Sequence, residues 1–314
     1  MRKVRFGVIG VGFWGRNHAR VLSELEHAEL VAVCDVNRAK AESIGGKYGV
    51  SWYTENGGLL RRDDVDAVCI CTPTVTHHRL ALEAIDAGMH VLVEKPIAES
   101  VKDAKEILEA AERKGVYLMS GFIERFNPGV QRVKKLIDEG ELGEVVLALA
   151  RRVGKWPERV GDVGVVKDSA IHDIDIMRFL FEDEIVSVYA RAGSLGHKFE
   201  DYAQIILGFS GNRTAFVEAN WLTPRKIRML TVTGTDAIAT VDYITQEITI
   251  SNAEKSVTPN CKREEPLMLE LGHFTESIIA DRSPSVTGLD GLKALEVAEA
   301  ALRSAKKDKK VMLV

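Results

Sequence analysis

The sequence predicts an α/β protein with two domains, in which a parallel sheet covered by helices is followed by a domain with an antiparallel sheet. Three observations support this fold class. Short apolar strands alternate with helices through the first third of the chain. Strand-like stretches follow one another closely in the second half, with turn residues between them. The length of 314 residues suits two domains of ordinary size.

Continuous apolar runs and helix-stop signals define the elements of the first domain. The predicted strands cover residues 4–9, 30–34, 50–53, 65–71, 90–93 and 116–119. The predicted helices cover residues 17–25, 38–48, 77–87 and 100–114. Gly49 and Gly88 are typical helix stops, and Ser100 is a typical N-cap. Because strands without polar alternation are buried on both faces, we expect residues 1–121 to form a doubly wound parallel sheet.

In the second domain, strands are grouped together instead of alternating with helices. The predicted helices cover residues 128–139, 168–181, 265–281 and 288–306. The predicted strands cover residues 144–152, 185–193, 201–210, 213–221, 226–233, 237–242 and 246–251. Turn signals such as Ser210-Gly211-Asn212 separate these strands, which favours an antiparallel sheet. We therefore expect residues 122–314 to form a second domain, whose final helices can pack back toward the first.

Composition and charge exclude several functional classes. Hydrophobic residues make up 46% of the chain and charged residues 28%, and the net charge is −4. A basic face for nucleic acid is therefore not expected. No apolar run approaches the roughly 18 residues that span a bilayer, and the N-terminus does not resemble a signal peptide. We expect a cytoplasmic protein without nucleic-acid or membrane partners.

The cysteines do not have the spacing of a metal site. Cys69 and Cys71 lie on one face of a predicted strand, but no further Cys or His ligands follow at a suitable spacing. We interpret these cysteines as small buried hydrophobic residues in a reducing compartment, and we expect no metal.

A glycine-rich turn, Gly10-Val11-Gly12-Phe13-Trp14-Gly15, has the sequence context of a dinucleotide site. It follows a buried strand and opens a helix, and Asp35 lies twenty residues after Gly15 at the end of the second strand. Gly10 permits the tight turn, Gly12 lets the backbone approach a pyrophosphate, and Gly15 lets helix and strand pack closely. The start of the helix attracts the phosphates. This pattern predicts a Rossmann fold.

Asp35 also predicts which dinucleotide binds. Its carboxylate can accept hydrogen bonds from both hydroxyls of the adenosine ribose, and it would repel a 2′-phosphate. We therefore predict NAD, with NADP less favoured, although the nearby Arg38 can soften this preference. His18, in the first helix, is open to two interpretations, a core-facing helical residue or a cofactor contact.

Three further motifs extend the pattern. They are Thr72-Pro73-Thr74-Val75-Thr76-His77, Ala87-Gly88-Met89-His90-Val91-Leu92-Val93-Glu94-Lys95-Pro96 and Asp168-Ser169-Ala170-Ile171-His172-Asp173. With the glycine loop, they resemble the glucose-fructose oxidoreductase, inositol dehydrogenase and rhizopine catabolism (Gfo/Idh/MocA) family over essentially the whole chain. The resemblance implies a second domain with a large, open, mostly antiparallel sheet, and a homodimer or homotetramer formed through that sheet. It also implies pyridine-nucleotide chemistry on a sugar or polyol.

The resemblance implies a cofactor pocket that includes the glycine loop. Its expected residues are Gly10, Gly12, Phe13, Trp14, Gly15, Asp35, Asn37, Arg38, Cys71, Thr72, Pro73, His77, Glu94 and Lys95. The neighbouring His78 is expected to be solvated. The Lys95-Pro96 peptide bond can be cis, as an X-Pro bond in a tight turn can be.

Lys95, Asp168 and His172 form the catalytic trio that the resemblance implies. Asp168 and His172 are four residues apart on a predicted helix, so both project from one face. A histidine is suited to accept a hydroxyl proton near neutral pH, and a carboxylate one turn away can orient it. Lys95 follows the carboxyl end of a strand, where its ammonium can stabilise a developing alkoxide. The alternatives are a surface lysine and an ordinary capped helix, and we interpret Asp173 and Asp175 as helix-surface or interface residues.

Residues 124–128 and 154–167 bear on the substrate. Both segments are similar to the branch of the family that oxidises the 3-hydroxyl of UDP-N-acetylhexosamines. The expected substrate-binding residues are Lys95, Arg125, Asn127, Lys155, Trp156, Arg159, Asp168 and His172. Basic residues can neutralise a diphosphate or be solvated surface charges, and the candidates are Arg125, Lys155, Arg159 and Lys167. Trp156 can stack on a uracil or on the nicotinamide side, or only hold its loop in place.

The sequence therefore predicts an NAD-dependent dehydrogenase acting on a CH–OH group, with a UDP-N-acetylhexosamine as the first substrate hypothesis. A free polyol or sugar dehydrogenase, of the inositol or glucose type, is the alternative among enzymes. A non-catalytic dinucleotide-binding regulator is the alternative outside enzymes, and the presence of Lys95, Asp168 and His172 disfavours it.

Overall fold

The computed structural model describes residues 3–157, 161–260 and 262–313. The chain divides into two compact units. The first unit comprises the described residues up to Phe122 together with Leu267–Leu292, and the second comprises Ile123–Pro266 together with the described residues from Lys293 onward. Each unit is therefore built from two separate segments of the chain.

The first unit contains a six-stranded sheet with the strand order β3-β2-β1-β4-β5-β6. Its strands are β1 (Val4–Ile9), β2 (Ala28–Cys34), β3 (Ser51–Tyr53), β4 (Ala67–Ile70), β5 (His90–Glu94) and β6 (Leu118–Gly121). Its helices are α1 (Phe13–Glu24), α2 (Arg38–Tyr48), α3 (Asn56–Leu60), α4 (His77–Asp86), α5 (Val101–Lys114) and α8 (Pro266–Ile279). All neighbouring strands pair in parallel, which confirms the predicted sheet. The strand order reverses between β1 and β4, and ligands bind at such reversals in open α/β sheets.

Helix α8 belongs to the first unit because its apolar side packs there. Leu267, Leu271 and Phe274 are buried. The ring of Phe274 lies 6.1 Å from the ring of Phe6 on β1, measured between centroids. This contact explains why a segment far along the chain joins the first unit.

The second unit contains a nine-stranded sheet with the order β14-β13-β12-β11-β7-β10-β9-β8-β15. Its strands are β7 (Val145–Lys155), β8 (Ile185–Gly193), β9 (Tyr202–Phe209), β10 (Thr214–Asn220), β11 (Leu222–Gly234), β12 (Ile238–Asp242), β13 (Ile248–Ser251), β14 (Ser256–Val257) and β15 (Val311–Met312). Its helices are α6 (Pro128–Asp138), α7 (Ile171–Phe181) and most of α9 (Gly288–Lys307). Among the described strands of this second sheet, only β7 and β10 pair in parallel, which confirms a mostly antiparallel sheet.

The two faces of this sheet differ in exposure. On β7, Ala148 and Ala150 are buried, whereas Leu147 and Leu149 on the opposite face are exposed. Helix α7 packs against β7. Since side chains alternate along a strand, the buried face is the one that meets the helix.

The helix predicted over residues 168–181 has an irregular start. Residues Val166–Ala170 form a π-helical turn, and the regular helix α7 begins only at Ile171. Single π turns are rare, and they occur frequently at functional sites.

Among the described residues, no helix combines the length and apolarity needed to cross a bilayer.

Candidate active site

The glycine loop of the first unit meets the steric demands expected of it. Gly10 has a φ of +86°, and a Cβ there would lie 2.7 Å from Cγ2 of Thr72. A Cβ on Gly15 would lie 1.7 Å from the carbonyl oxygen of Gly10, so only glycine fits. A Cβ on Gly12 would meet no atom within 4 Å. The open space beside Gly12 leaves room for a ligand, whereas the other two glycines serve close packing.

Helix α1 begins beside this open space. Its N-cap is Gly12, which has no side chain to cap the helix, and its first turn contains no acidic residue. The free N–H groups at the start of α1 therefore remain available to an anion. Phe13 is half exposed and meets Trp14 edge-on, with the ring centroids 5.6 Å apart. The indole nitrogen of Trp14 is buried and has no hydrogen-bond partner among the described residues.

Asp35 connects the glycine loop to the end of β2. Its Oδ2 accepts a hydrogen bond of 2.9 Å from the backbone N–H of Val11, and its Oδ1 accepts one of 2.8 Å from Asn37. A carboxylate has about four acceptor positions, so both oxygens can still accept hydroxyl groups. The side chain of Asn37 caps α2 by accepting from the N–H of Lys40. Arg38 is exposed, with its guanidinium 5.4 Å from the ring centre of Trp52.

The segment after β4 is held by His77. This buried side chain places Nε2 2.9 Å from the carbonyl oxygen of Thr72 and Nδ1 2.9 Å from that of Pro96. Cys71 is half buried, and burial raises the pKa of its thiol well above the usual value. Pro73 is exposed. The imidazole therefore braces the Thr72–Pro73 loop against the segment that follows Lys95.

Lys95 is nearly buried beside a carboxylate that is already paired. Glu94 accepts hydrogen bonds from the backbone N–H of Lys95 at 3.2 Å, and its Oε1 lies 3.0 Å from Nε2 of His18. Burial alone would raise the pKa of Glu94, but the His18 hydrogen bond and the charges of His18 and Lys95 lower it overall. The Lys95–Pro96 peptide bond is cis. His18 is fully buried, so it is a core-facing residue that supports Glu94.

In the second unit, Asp168 and His172 flank the junction between the π turn and α7. Both side chains are buried. The N–H of Asp168 donates to the carbonyl of Gly164 at 2.9 Å, and Oγ of Ser169 donates to its Oδ2 at 3.1 Å. Two groups suited to acid–base chemistry therefore stand near the start of one helix.

Asp173 and Asp175 correct the interpretation made from the sequence, because they are fully buried and not helix-surface residues. Asp173 accepts two hydrogen bonds from Arg152, at 2.8 and 3.0 Å, and one of 3.1 Å from the hydroxyl of Tyr243. Asp175 accepts a hydrogen bond of 2.6 Å from Nε of Arg125. Buried carboxylates need such partners, and the polar side of α7 is therefore packed inward.

Arg152 and Glu124 complete this buried network. Nη1 of Arg152 donates to Oε1 of Glu124 at 2.7 Å, and Nη1 of Arg228 approaches the same oxygen at 3.4 Å. Burial would raise the pKa of Glu124, but the charges of Arg152 and Arg228 hold it below its usual value. Sequence reasoning missed Arg152, Glu124 and Tyr243 as partners. Arg152 and Tyr243 lie outside the motifs, and the motif that contains Glu124 does not indicate which residue it contacts.

Two expected substrate residues use their polar atoms within the second unit. Arg125 is buried against Asp175, as described above. Asn127 caps α6, accepting from the N–H of Gly129 at 3.0 Å, and its Nδ2 donates to the carbonyl of Tyr243 at 3.0 Å. Both side chains therefore hold the beginning of α6 and the neighbouring α7 in place.

The loop expected to contact the substrate is partly described. Lys155 is exposed at the end of β7, and Lys167 lies 3.4 Å from a carboxylate oxygen of Glu299. Trp156 stacks on His197 with 3.4 Å between ring centroids. It also meets Trp221 edge-on at 4.4 Å. Trp156 is thus held by two rings of its own unit, and Arg159 lies outside the described residues.

One cluster in the first unit has the side-chain composition of a metal site. His78, Asp103 and Glu106 place one ligand atom each within 4.8 Å of one another. Nε2 of His78 lies 2.8 Å from Oε2 of Glu106, so these groups already pair with each other. Half-exposed clusters of this kind are common on protein surfaces, and we assign no metal to it.

The geometry of the first unit defines a class of protein. A parallel sheet whose order reverses at a glycine loop, with an uncapped helix start and an acidic residue after β2, is typical of pyridine-nucleotide-binding enzymes. The chain belongs to the Gfo/Idh/MocA oxidoreductase family. The family described as "Oxidoreductase family, NAD-binding Rossmann fold" matches residues 4–122, and the "GFO/IDH/MocA C-terminal domain" matches residues 130–240. The protein is therefore an NAD-binding oxidoreductase, as the sequence predicts.

Individual relatives cover nearly the whole chain. Inositol 2-dehydrogenase of Rhizobium meliloti is 32% identical and covers 99% of both chains. The scyllo-inositol 2-dehydrogenase (NAD(+)) of Bacillus subtilis is 31% identical over 96% of this chain and 94% of its own length. Among solved structures, UDP-N-acetylglucosamine 3-dehydrogenase from Acidithiobacillus ferrooxidans has a TM-score of 0.90 at 27% identity. That alignment covers 98% of this chain and 99% of the other.

Proposed function

We propose that the protein oxidises a secondary hydroxyl of a cyclic polyol or sugar, with NAD as the oxidant. The observation that carries this proposal is the placement of two buried side chains, Asp168 and His172, at the junction between the π turn and α7, in a chain whose relatives include named inositol dehydrogenases. NAD, when bound, supplies the acceptor for the hydride that leaves the carbinol carbon. Gly12, the start of α1 and Asp35 would hold it.

In this proposal the protein's own side chains move the proton and stabilise the oxygen. His172 accepts the hydroxyl proton, because a neutral imidazole is a suitable base near neutral pH. Asp168 orients the imidazole and stabilises its protonated form, and Ser169 holds the carboxylate by a hydrogen bond. Lys95 donates a hydrogen bond to the reacting oxygen as negative charge develops on it. Glu94 accepts a hydrogen bond from the backbone N–H of Lys95, and His18 holds the Glu94 carboxylate in place.

A UDP-N-acetylhexosamine, oxidised at its 3-hydroxyl, is the second candidate substrate. The similarity to UDP-N-acetylglucosamine 3-dehydrogenase favours it, and so does the exposed Lys155, which can reach a phosphate. Two other basic residues expected to neutralise the diphosphate are engaged elsewhere, Arg125 with Asp175 and Lys167 with Glu299. We therefore rank a free polyol or sugar above the nucleotide sugar.

A direct assay separates these substrates. Purified protein is mixed with NAD and with myo-inositol, glucose or UDP-N-acetylglucosamine, and the absorbance of reduced nicotinamide is followed. We expect turnover with a free polyol or sugar. Turnover with the nucleotide sugar alone would replace the first candidate by the second, and binding of NAD without turnover of any compound would favour a regulator.

Lys95→Ala tests the catalytic assignment. We expect a loss of turnover of roughly 100-fold or more, with the dissociation constant for NAD nearly unchanged. The exposed Lys102→Ala on α5 is the matched control and should retain activity. Unchanged turnover in Lys95→Ala would remove this lysine from the mechanism.

We further propose that the enzyme is a cytoplasmic homodimer or homotetramer formed through the exposed sheet face. Leu149 on β7 pairs with Phe216 on β10, which pairs in turn with Ile206 on β9. Leu147, Leu149 and Ile206 are exposed, so this face presents contiguous apolar side chains.

The described cysteines Cys34, Cys69 and Cys71 are free thiols, which suits the reducing compartment of the proposed cytoplasmic location.

A further inference from the structure

The π turn that carries Asp168 is held from outside by the loop between β8 and β9. Val165 donates its backbone N–H to the carbonyl oxygen of Glu200 at 2.9 Å. Val166, the first residue of the π turn, donates its N–H to the side-chain Oε1 of Glu200 at 3.1 Å. The first N–H groups of a helix have no partner within the helix. Glu200 therefore satisfies two successive donors at the start of the segment that leads to Asp168 and His172.

Gly164 makes this arrangement possible. A Cβ at this position would lie 2.2 Å from both carboxylate oxygens of Glu200, so the carboxylate occupies the space that any larger residue would need. The carbonyl oxygen of the same glycine accepts the N–H of Asp168 at 2.9 Å. Glu200 thus contacts Gly164 and Val166, and both of them adjoin the backbone of Asp168.

The loop that presents Glu200 is itself anchored. Asp201 is fully buried, and its Oδ2 accepts the N–H groups of Leu195 and Gly196, each at 2.9 Å. Its N–H donates to the carbonyl of Gly193, and its carbonyl accepts from Trp221, so the loop is fastened to two strand ends. A fixed loop can transmit its position to the π turn, whereas a loosely held one could not.

The charge state of Glu200 is consistent with a role as a hydrogen-bond acceptor. Burial raises the pKa of its carboxyl, although the backbone N–H of Val166 and the charge of Lys167 act in the opposite direction. The contact with Val166 needs only an oxygen acceptor at the place of Oε1. A neutral acceptor of the same shape is therefore expected to keep this contact, and Glu200→Gln tests whether acceptor geometry or negative charge matters.

We propose that Glu200 is a positioning residue for Asp168 and His172, which sets their orientation by fixing the π turn through Gly164 and Val166. This inference rests on the proposed function insofar as it assigns Asp168 and His172 to proton transfer. Neither Glu200 nor Gly164 touches the reacting atoms. Their effect on catalysis comes from the placement of two side chains, and small displacements of catalytic groups are costly.

Kinetics of three variants test the proposal. We expect Glu200→Ala to lower kcat about tenfold or more with KM changed by less than about threefold. Glu200→Gln keeps the Oε1 acceptor and should retain most of kcat. Gly164→Ala pushes the carboxylate out of its place and should resemble Glu200→Ala. The exposed Glu254→Ala, in the hairpin between β13 and β14, is the matched control and should behave as the wild type.

A double-mutant cycle adds a second criterion. Because the added Cβ at position 164 acts by displacing the Glu200 carboxylate, its effect should largely vanish in a Glu200→Ala background. Additive losses would overturn the proposal, and so would a Glu200→Gln variant as defective as Glu200→Ala. The affinity for NAD should be unchanged throughout, which shows that the variants are folded. If Glu200→Ala does not fold, Gly164→Ala and Glu200→Gln still decide.

A readout without substrate separates this proposal from the proposed function. The imidazole signal of His172 in NMR spectra should shift in Glu200→Ala and Gly164→Ala but not in Glu200→Gln, and amide exchange at Val166 should accelerate in the first two. If these spectral changes occur in a protein that turns over no polyol or sugar, they support the positioning role of Glu200 and contradict the proposed dehydrogenase function. Normal turnover and an unshifted His172 signal in Glu200→Ala would overturn the positioning role and leave the function intact.

Discussion

Asp35 combines a structural contact with the proposed recognition of the dinucleotide. Its two oxygens hold the N–H groups of Val11 and Asn37, so the carboxylate fixes the glycine loop relative to the start of α2. The same negative charge lies where the ribose of the dinucleotide is recognised in this fold. One side chain therefore shapes the glycine loop and, in the proposed function, also selects the dinucleotide.

Asp35→Ala should weaken NAD binding by about tenfold to a hundredfold, since a hydrogen bond to a charged group contributes roughly 1.5–3 kcal/mol. The affinity for NADP should fall less than that for NAD, because the repulsion between Asp35 and the 2′-phosphate of NADP disappears. Titrations of both dinucleotides, followed by intrinsic fluorescence, measure the ratio of dissociation constants. The exposed Glu112→Ala on α5 is the control. Tighter binding of NADP than NAD by the wild-type protein would contradict the assignment.

Glu94 couples stability to pH at the residue scale. Burial opposes its ionisation, yet the hydrogen bond with His18 and the charges of His18 and Lys95 bring its pKa below the usual 4.5. A carboxylate with a depressed pKa stabilises the fold above the pKa of the unfolded chain. This stabilisation is lost as the pH falls through the depressed value.

Glu94→Gln should therefore lower the free energy of unfolding at pH 7 by about 2 kcal/mol. The difference in unfolding free energy from the wild type should shrink as the pH falls from the ordinary value of 4.5 through the depressed pKa of the folded state. Urea unfolding over a pH series measures both quantities. Glu26→Gln, an exposed change on the same unit, should track the wild type. A difference that stays constant down to acidic pH would show that ionisation of Glu94 is not involved.

At the scale of elements, strand β7 carries two adjacent arginines with opposite environments. Arg152 faces the buried side and bridges Asp173 on α7 with Glu124. Arg151 faces the opposite side, is largely exposed and pairs with Glu218 on β10. The alternation of a strand thus separates an inward ion network, which ties α7 to the sheet, from an ordinary surface pair.

Arg152→Met should destabilise the protein by about 3–5 kcal/mol, because it leaves the buried Asp173 without its cation and removes the nearer of the two arginines beside Glu124. Arg151→Met should change the free energy of unfolding by less than about 0.5 kcal/mol, as exposed pairs contribute little. Denaturant unfolding of the two variants provides the comparison. Equal effects would mean that the network does not stabilise the attachment of α7.

At the scale of the whole molecule, the outward face of the nine-stranded sheet is the feature without a described partner. Thr231, Leu149, Phe216 and Ile206 follow one another across β11, β7, β10 and β9. Monomeric proteins rarely expose a large contiguous apolar patch to water. We therefore expect another subunit to cover this face of the sheet. The proposed oligomer supplies that cover with a second copy of the same face.

Leu149→Asp should dissociate the oligomer, because a charge at the centre of a self-complementary interface is repeated in the partner and loses its hydration. Light scattering coupled to size-exclusion chromatography measures the mass of the particle. Leu289→Asp places a charge on an exposed leucine of the first unit and should leave the mass unchanged. A monomeric wild-type protein, or an unaltered mass in Leu149→Asp, would contradict assembly through this face.

Local signals in the sequence were sufficient for much of the fold and for the NAD-binding class of the protein. Strand β1, the glycine loop and Asp35 are close together along the chain, and their roles depend on backbone sterics and helix-end chemistry that the sequence encodes directly. Helix α3 was missed because Asn56-Gly57-Gly58 is typical of a turn. Its five residues form a helix only with the support of the surrounding unit.

Partnerships over long sequence distances were decided by the tertiary structure alone. Asp173 meets Arg152 from 21 positions away, and Val166 meets Glu200 from 34. Helix α8 joins the first unit through Phe274 and Phe6. The sequence shows which kind of partner a hydrophobic or charged residue can bind. Which residue becomes that partner depends on how the chain packs. The sequence therefore determined the class of fold and its cofactor, whereas three-dimensional packing decided which charges are buried and how helix α7 begins.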